Sequence, residues 1–179
     1  MRDSFAASQQ AQGISVFEWN FLSVLALLLA CASGYFLLQS WFRGPSKGIE
    51  ERMQEFANQA VQLAKAEYEA ELDFSIDSLK HVEKILLKLH AQHQVNAIPE
   101  RELSRIVLTW GAYIGVVLQR KFGGTWRSDS PKVGLNTFPL QWKDDEAVPV
   151  MWCLQQIRNG TTSSIVSKMN ATITRLSPN

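Results

Sequence analysis

The sequence predicts an α+β protein, with an N-terminal transmembrane helix followed by a helix-rich domain that carries a small antiparallel sheet. Three observations predict it. Phe21 to Phe42 is an uncharged run of 22 residues. From Ile49 to about Lys121, apolar residues recur at three- and four-residue spacing. After Gly124, short segments between turn residues replace that period, and helical spacing returns near Val148. Helices, then strands, then helices is the order of an α+β fold rather than of alternating α/β units. The chain divides accordingly into a tail (1–20), a membrane helix (21–42), a linker (43–48) and a soluble domain (49–176).

The membrane segment rests on length and flanks. Seventeen of the 22 residues are apolar, the exceptions being Ser23, Ser33, Gly34, Gln39 and Ser40. At about 1.5 Å per residue such a helix is roughly 33 Å long, enough for a hydrocarbon core of about 30 Å. Trp19 and Trp41 bracket the run at interfacial depth, and Arg43 and Lys47 follow among the headgroups. A cleaved signal peptide would need a basic start and a shorter apolar stretch, whereas residues 1–20 are polar with Arg2 the one basic residue. A buried core helix would rarely go 22 residues without a charge. Arg43, Lys47 and Arg52 outnumber Arg2, so the positive-inside bias places the domain in the cytoplasm of a single-pass inner-membrane protein.

Arg43-Gly44-Pro45-Ser46-Lys47-Gly48 is a breaker-rich linker. Met53, Phe56, Ala60 and Leu63 mark the first soluble helix. Asp73 or Ser75 is the expected N-cap of a second, whose stripe is Ile76, Leu79, Val82, Leu86 and Leu89. Asn96 to Pro99 breaks it, and Pro99 opens a third helix with Glu100 and Glu102 near its positive end. This third helix is the most apolar of the domain and is expected to be its centre. Gly111 and Gly115 within it predict close packing of another element, because helical glycine costs roughly 1 kcal/mol. Gly123-Gly124 stops it. Thr125 to Arg127, Lys132 to Leu135 and Thr137 to Gln141 read as strands, and Asp144-Asp145-Glu146 as a charged turn. Pro149 starts a helix that Asn159-Gly160 ends, and Thr162 or Ser163 caps a last helix through Arg175.

Three segments resemble a family of uncharacterised bacterial domains. They are Leu72-Asp73-Phe74-Ser75-Ile76-Asp77-Ser78-Leu79, Gly111-Ala112-Tyr113-Ile114-Gly115 and Phe122-Gly123-Gly124-Thr125-Trp126. They are similar to that family's LDYS-x-x-SL, GAYLGE and GG-x-W motifs. Asn159-Gly160-Thr161-Thr162-Ser163-Ser164 is similar to its late NG-x-x-x-S element. The resemblance covers about Ala66 to Thr174. It implies a bacterial α+β domain and no catalytic residues. The chain departs from the pattern at Val116, where the family carries an acid.

Composition narrows the function classes. Eighteen Lys+Arg against 17 Asp+Glu give a net charge of +1, so nucleic acid is not an expected partner. Two cysteines, Cys31 and Cys153, exclude a disulfide scaffold. The sequons at Asn159 and Asn170 matter only in a eukaryotic lumen. His90 and His93 share a helix face and His81 precedes them, but no partner ligand stands at metal-site spacing, so no metal is expected. Cys153 lies among Trp152, Leu154 and Ile157 and reads as a buried apolar residue rather than a nucleophile. Asp144 to Glu146 lacks the spacing of a calcium loop, and Gly44 to Gly48 that of a phosphate loop. No catalytic residue and no cofactor is implied.

Trp110, Trp126, Trp142 and Trp152 are many tryptophans for one domain. Most such rings pack in cores. Trp126 and Trp142, beside Arg127, Lys132 and Lys143, are the expected surface pair of a partner-binding patch. The reading is a single-pass membrane protein displaying a non-catalytic protein-binding domain of adaptor or immunity type. Its partners are the lipid bilayer and another protein. The alternatives are a membrane-tethered enzyme of unknown chemistry and a small-ligand or lipid sensor.

Overall fold

A computed structural model describes residues 48–143 and 145–177. They are helix-rich with one small antiparallel sheet, an α+β architecture. The expected membrane helix, and with it Trp19, Trp41, Arg43 and Lys47, lies outside the described residues. Among those described, no helix is long and apolar enough to cross a membrane.

Helix α1 spans Ile49–Tyr68 and stops where Glu69 turns left-handed, at φ 52°. Its buried stripe is Met53, Ala57, Ala60 and Ala64. Three alanines let a neighbour come close, and α1 packs most extensively on α3, Glu100–Phe122. Helix α2, Leu79–Val95, buries Leu79, Val82, Ile85, Leu86 and Leu89. Ile76 belongs to the preceding turn, packed at the edge of the core.

The start of α2 differs from expectation. Neither Asp73 nor Ser75 is the cap residue, a place taken by Ser78 without a side-chain cap bond. Asp73 instead accepts from Ser75 N at 2.9 Å and Ser75 Oγ from Ser78 N at 3.1 Å, so both close the turn before the helix. The Ser75 hydroxyl, and then its backbone N–H, favour the Asp73 carboxylate and hold its pKa below the usual range.

Helix α3 is the centre, with every residue from Thr109 to Leu118 buried. Two segments well separated in the sequence meet on it. Tyr113 Oη accepts from Phe74 N at 2.9 Å and lies 2.6 Å from Ser78 Oγ. Ser78 Oγ spends its own hydrogen on Ser75 O, so Tyr113 is the donor in that second bond. The Phe74 ring stacks on Tyr113 with centroids 4.9 Å apart, and the Arg120 guanidinium sits 3.8 Å above it. These contacts hold Phe74 at φ 62°, a conformation a bulky residue rarely adopts.

The sheet is smaller than the sequence predicts. It pairs β1 (Thr125–Trp126), β2 (Leu140–Gln141) and β3 (Glu146–Ala147) in the order β1-β2-β3. Thr125 faces Gln141, and Gln141 faces Glu146. Lys132 to Leu135 is not a strand but a turn closed by a bridge between Ser130 and Gly134. Ser130 Oγ accepts from Lys132 N and Val133 N and donates to Glu146 Oε1, bonds that fold the segment back on itself. Glu146, expected in a charged turn, begins β3.

Helix α4, Pro149–Asn159, starts on its proline and ends at Gly160. A 3-10 turn, Gly160–Ser163, leads into α5, Ile165–Leu176. The cap of α5 is Ser164, one or two residues beyond the expected Thr162 or Ser163, and its side chain accepts from Ser167 N.

Candidate functional site

Gly111 and Gly115 decide what lies against α3. A Cβ on Gly111 would come within 2.6 Å of Val150 Cα, so the start of α4 rests on bare backbone. A Cβ on Gly115 would come within 2.1 Å of the Trp126 ring. The expected close packing is therefore present at both glycines, and one of its occupants is Trp126.

Trp126 is consequently no surface residue. It is 1% exposed, and both of its N–H groups are bonded. The backbone N–H donates to Glu50 Oε1 at 3.0 Å and the indole N–H to Gln119 Oε1 at 3.2 Å. Gln119 returns an amide bond to Glu50 Oε2 at 2.8 Å and another to Gly124 O. The expected Trp126–Trp142 surface pair is thus corrected: Trp126 fills the slot that Gly115 opens, and Trp142 alone lies near the surface.

The half-buried Trp142 ring covers Gly124, and its indole N–H donates to Phe122 O at 3.1 Å. Lys121 Nζ stands 5.6 Å from the Phe122 ring centroid. Arg127 is exposed, and its Nε donates to Gln141 Oε1 at 3.3 Å. Lys143 follows Trp142 on the turn into β3 and is exposed. At the root of the β1–β2 hairpin, two half-buried rings are thus flanked by the cations Lys121, Arg127 and Lys143. Lys132 sits instead at the far tip of that hairpin, between exposed Pro131 and Val133.

Three carboxylates of the described residues near this face are engaged within the domain. Glu50 holds Trp126 and Gln119. Glu146 accepts from Ser130, and Asp145 pairs with Arg175 at 3.1 Å. Among the described residues, neither Lys121 nor Lys143 forms an ion pair. Lys121 and Phe122 were missed in the sequence because they close a helix that reads as core. Their signal was the run Lys121-Phe122-Gly123-Gly124, whose glycines let Trp142 fold back over the helix end.

The other candidates have structural duties. His90 Nδ1 lies 2.7 Å from Ile157 O, so that nitrogen carries the proton and ties α2 to the end of α4. His93 Nδ1 accepts from Ile98 N at 3.0 Å, and His81 is exposed on α2. Cys153 is wholly buried, and burial pushes its thiol far above the range in which a thiolate forms. Trp152 is half-buried on α4. Among the described residues, no group of three or more His, Cys, Asp and Glu is placed to hold a metal ion.

Comparison with protein families, with curated proteins and with solved structures finds no match.

Proposed function

We propose that this chain is a single-pass membrane protein displaying a non-catalytic protein-binding domain, of adaptor or immunity type, on the cytoplasmic side of a bacterial inner membrane. The observation that carries the reading is the root of the β1–β2 hairpin. There Phe122 and Trp142 lie half-buried among Lys121, Arg127 and Lys143, while Glu50 and Glu146 are spent on internal bonds. Aromatic rings that surface beside exposed cations suit a partner with an acidic, partly apolar patch. The chain's own Phe21 to Phe42 run supports the anchor. Tethering raises the effective concentration of the domain beside a membrane-associated partner.

The test is photo-cross-linking in membranes, with a benzophenone amino acid at position 143 of the full chain. The expected result is one discrete protein adduct, abolished by Lys121→Glu together with Arg127→Glu. Adducts to lipid alone, or a protein adduct indifferent to charge reversal, would reject the reading. Protease digestion of intact against opened cells checks orientation: cleavage of the domain from outside would place it on the opposite face.

A further inference from the structure

A concavity lies away from the basic face, where the second half of α1, the end of α2 and the first half of α3 diverge. It holds about 630 Å³, within the range of about 300–1,000 Å³ typical of ligand sites. Leu63, Leu89, Ile106 and Trp110 supply its apolar floor, and Gln59, Gln62, Gln92, Glu102 and Arg105 its polar rim.

The rim is conspicuous for bonds not made. Among the described residues, the side chains of Gln59, Gln62, Gln92, Glu102 and Arg105 form no hydrogen bond or ion pair with the protein. Glu102 and Arg105 are three apart on one helix, yet they do not pair. The floor repeats the pattern. Trp110, which lines the groove, is 2% exposed, but among the described residues its indole N–H meets no acceptor and is not sealed from solvent. A donor on so buried a side chain would ordinarily find a partner inside the protein.

We infer that this groove is a binding site for an extended peptide segment of low charge. Its local charge balances, with Arg105 and Lys88 against Glu67 and Glu102, so it selects for neither sign. Glutamine amides carry a donor and an acceptor side by side, the complement of a peptide backbone. The gap between Leu63, Ile106 and Leu89 takes one apolar side chain of the peptide, and the Trp110 N–H reaches a carbonyl. A saccharide fits less well. It would stack on an open aromatic face, but the Trp110 ring is covered, and Tyr68 meets Trp110 edge-on at 6.0 Å with Lys88 over its ring. The site is separate from the hairpin root and does not depend on that surface docking a protein.

A library of random dodecapeptides displayed on phage tests this against the full chain in lipid nanodiscs. Sequences of low charge with one central aliphatic or aromatic residue are expected to enrich over empty nanodiscs. As free peptides they should bind with micromolar Kd. Gln62→Ala with Arg105→Ala should weaken them about tenfold or more. Trp110→Phe, which keeps a ring and removes the N–H, should weaken them severalfold. Lys121→Glu with Arg127→Glu should leave binding unchanged and so separates this site from the basic face. No enrichment, equal binding by the Gln62/Arg105 variant, or groove resonances that shift with chitohexaose but not with peptide would each overturn the inference.

Discussion

Trp126 packs against the second half of α3, Trp110 belongs to its first half, and the two are buried almost equally, at 1% and 2% exposure. Trp126 has both N–H donors matched, through Gln119 and Glu50. Trp110, among the described residues, has a packed ring and an indole N–H with no protein acceptor. The difference teaches that covering a ring and satisfying its N–H are separate achievements. A sealed, unpaired N–H costs about 1–3 kcal/mol, so Trp110 is tolerable because its donor stays wet. One half of α3 is spent on holding the fold, and the other leaves hydrogen bonds over.

The sharpest way to break the satisfied half is at its glycines. Gly111→Ala drives a Cβ onto the Val150 backbone, which moves only if α4 moves, and is expected to cost about 3 kcal/mol by thermal or urea unfolding. The tryptophans test the comparison directly. Trp126→Phe removes volume and leaves the Gln119 carbonyl unpaired, so it should cost about 2 kcal/mol, whereas Trp110→Phe breaks no protein bond and should cost less than about 1.5 kcal/mol. Equal losses in urea unfolding would refute the distinction.

A smaller effect is expected at Tyr113. Tyr113→Phe deprives Phe74 N of its acceptor and Ser78 Oγ of its donor, for about 1–2 kcal/mol. Burial, the largest cause, raises the Tyr113 pKa. A raised folded-state value means that the neutral phenol's contribution is complete below pH about 10, the unfolded value, and is lost as pH rises through the folded one. Urea midpoints measured upward from pH 9 should therefore fall more steeply in the parent than in Tyr113→Phe. The smallest effect is expected at Arg158–Glu100, a 3.5 Å pair with both side chains at least half exposed. Glu100→Gln should change stability by less than about 1 kcal/mol in the same assay.

The helices were legible because their apolar stripes recur for many turns. The Leu79, Val82, Leu86, Leu89 stripe and the stop at Gly123-Gly124 hold in the structure. The strands were legible in part: Thr125 to Arg127 and Thr137 to Gln141 contain β1 and β2, but each strand spans only two residues and β3 begins inside the expected charged turn. Lys132 to Leu135 looked like a strand by composition, but Gly134 and Asn136 take positive φ and the Ser130 side chain gathers the turn. Trp126 was misplaced for a related reason. Its flanks, Thr125 and Arg127, are exposed, and the slot that receives it lies eleven positions earlier at Gly115. Periodicity announced a vacancy on α3 without naming the side chain that fills it. The groove left no sequence signal, since glutamines and a lone arginine on helix faces look like ordinary solvated surface.

The Glu50 carboxylate gains a further meaning from its position. It lies two residues after Gly48, in the first turn of α1, and it grips β1 through Trp126 N and α3 through Gln119. Tension applied to the chain at Gly48 therefore reaches this clasp before it can peel α1 away turn by turn. The load is shared at once between the central helix and the first strand.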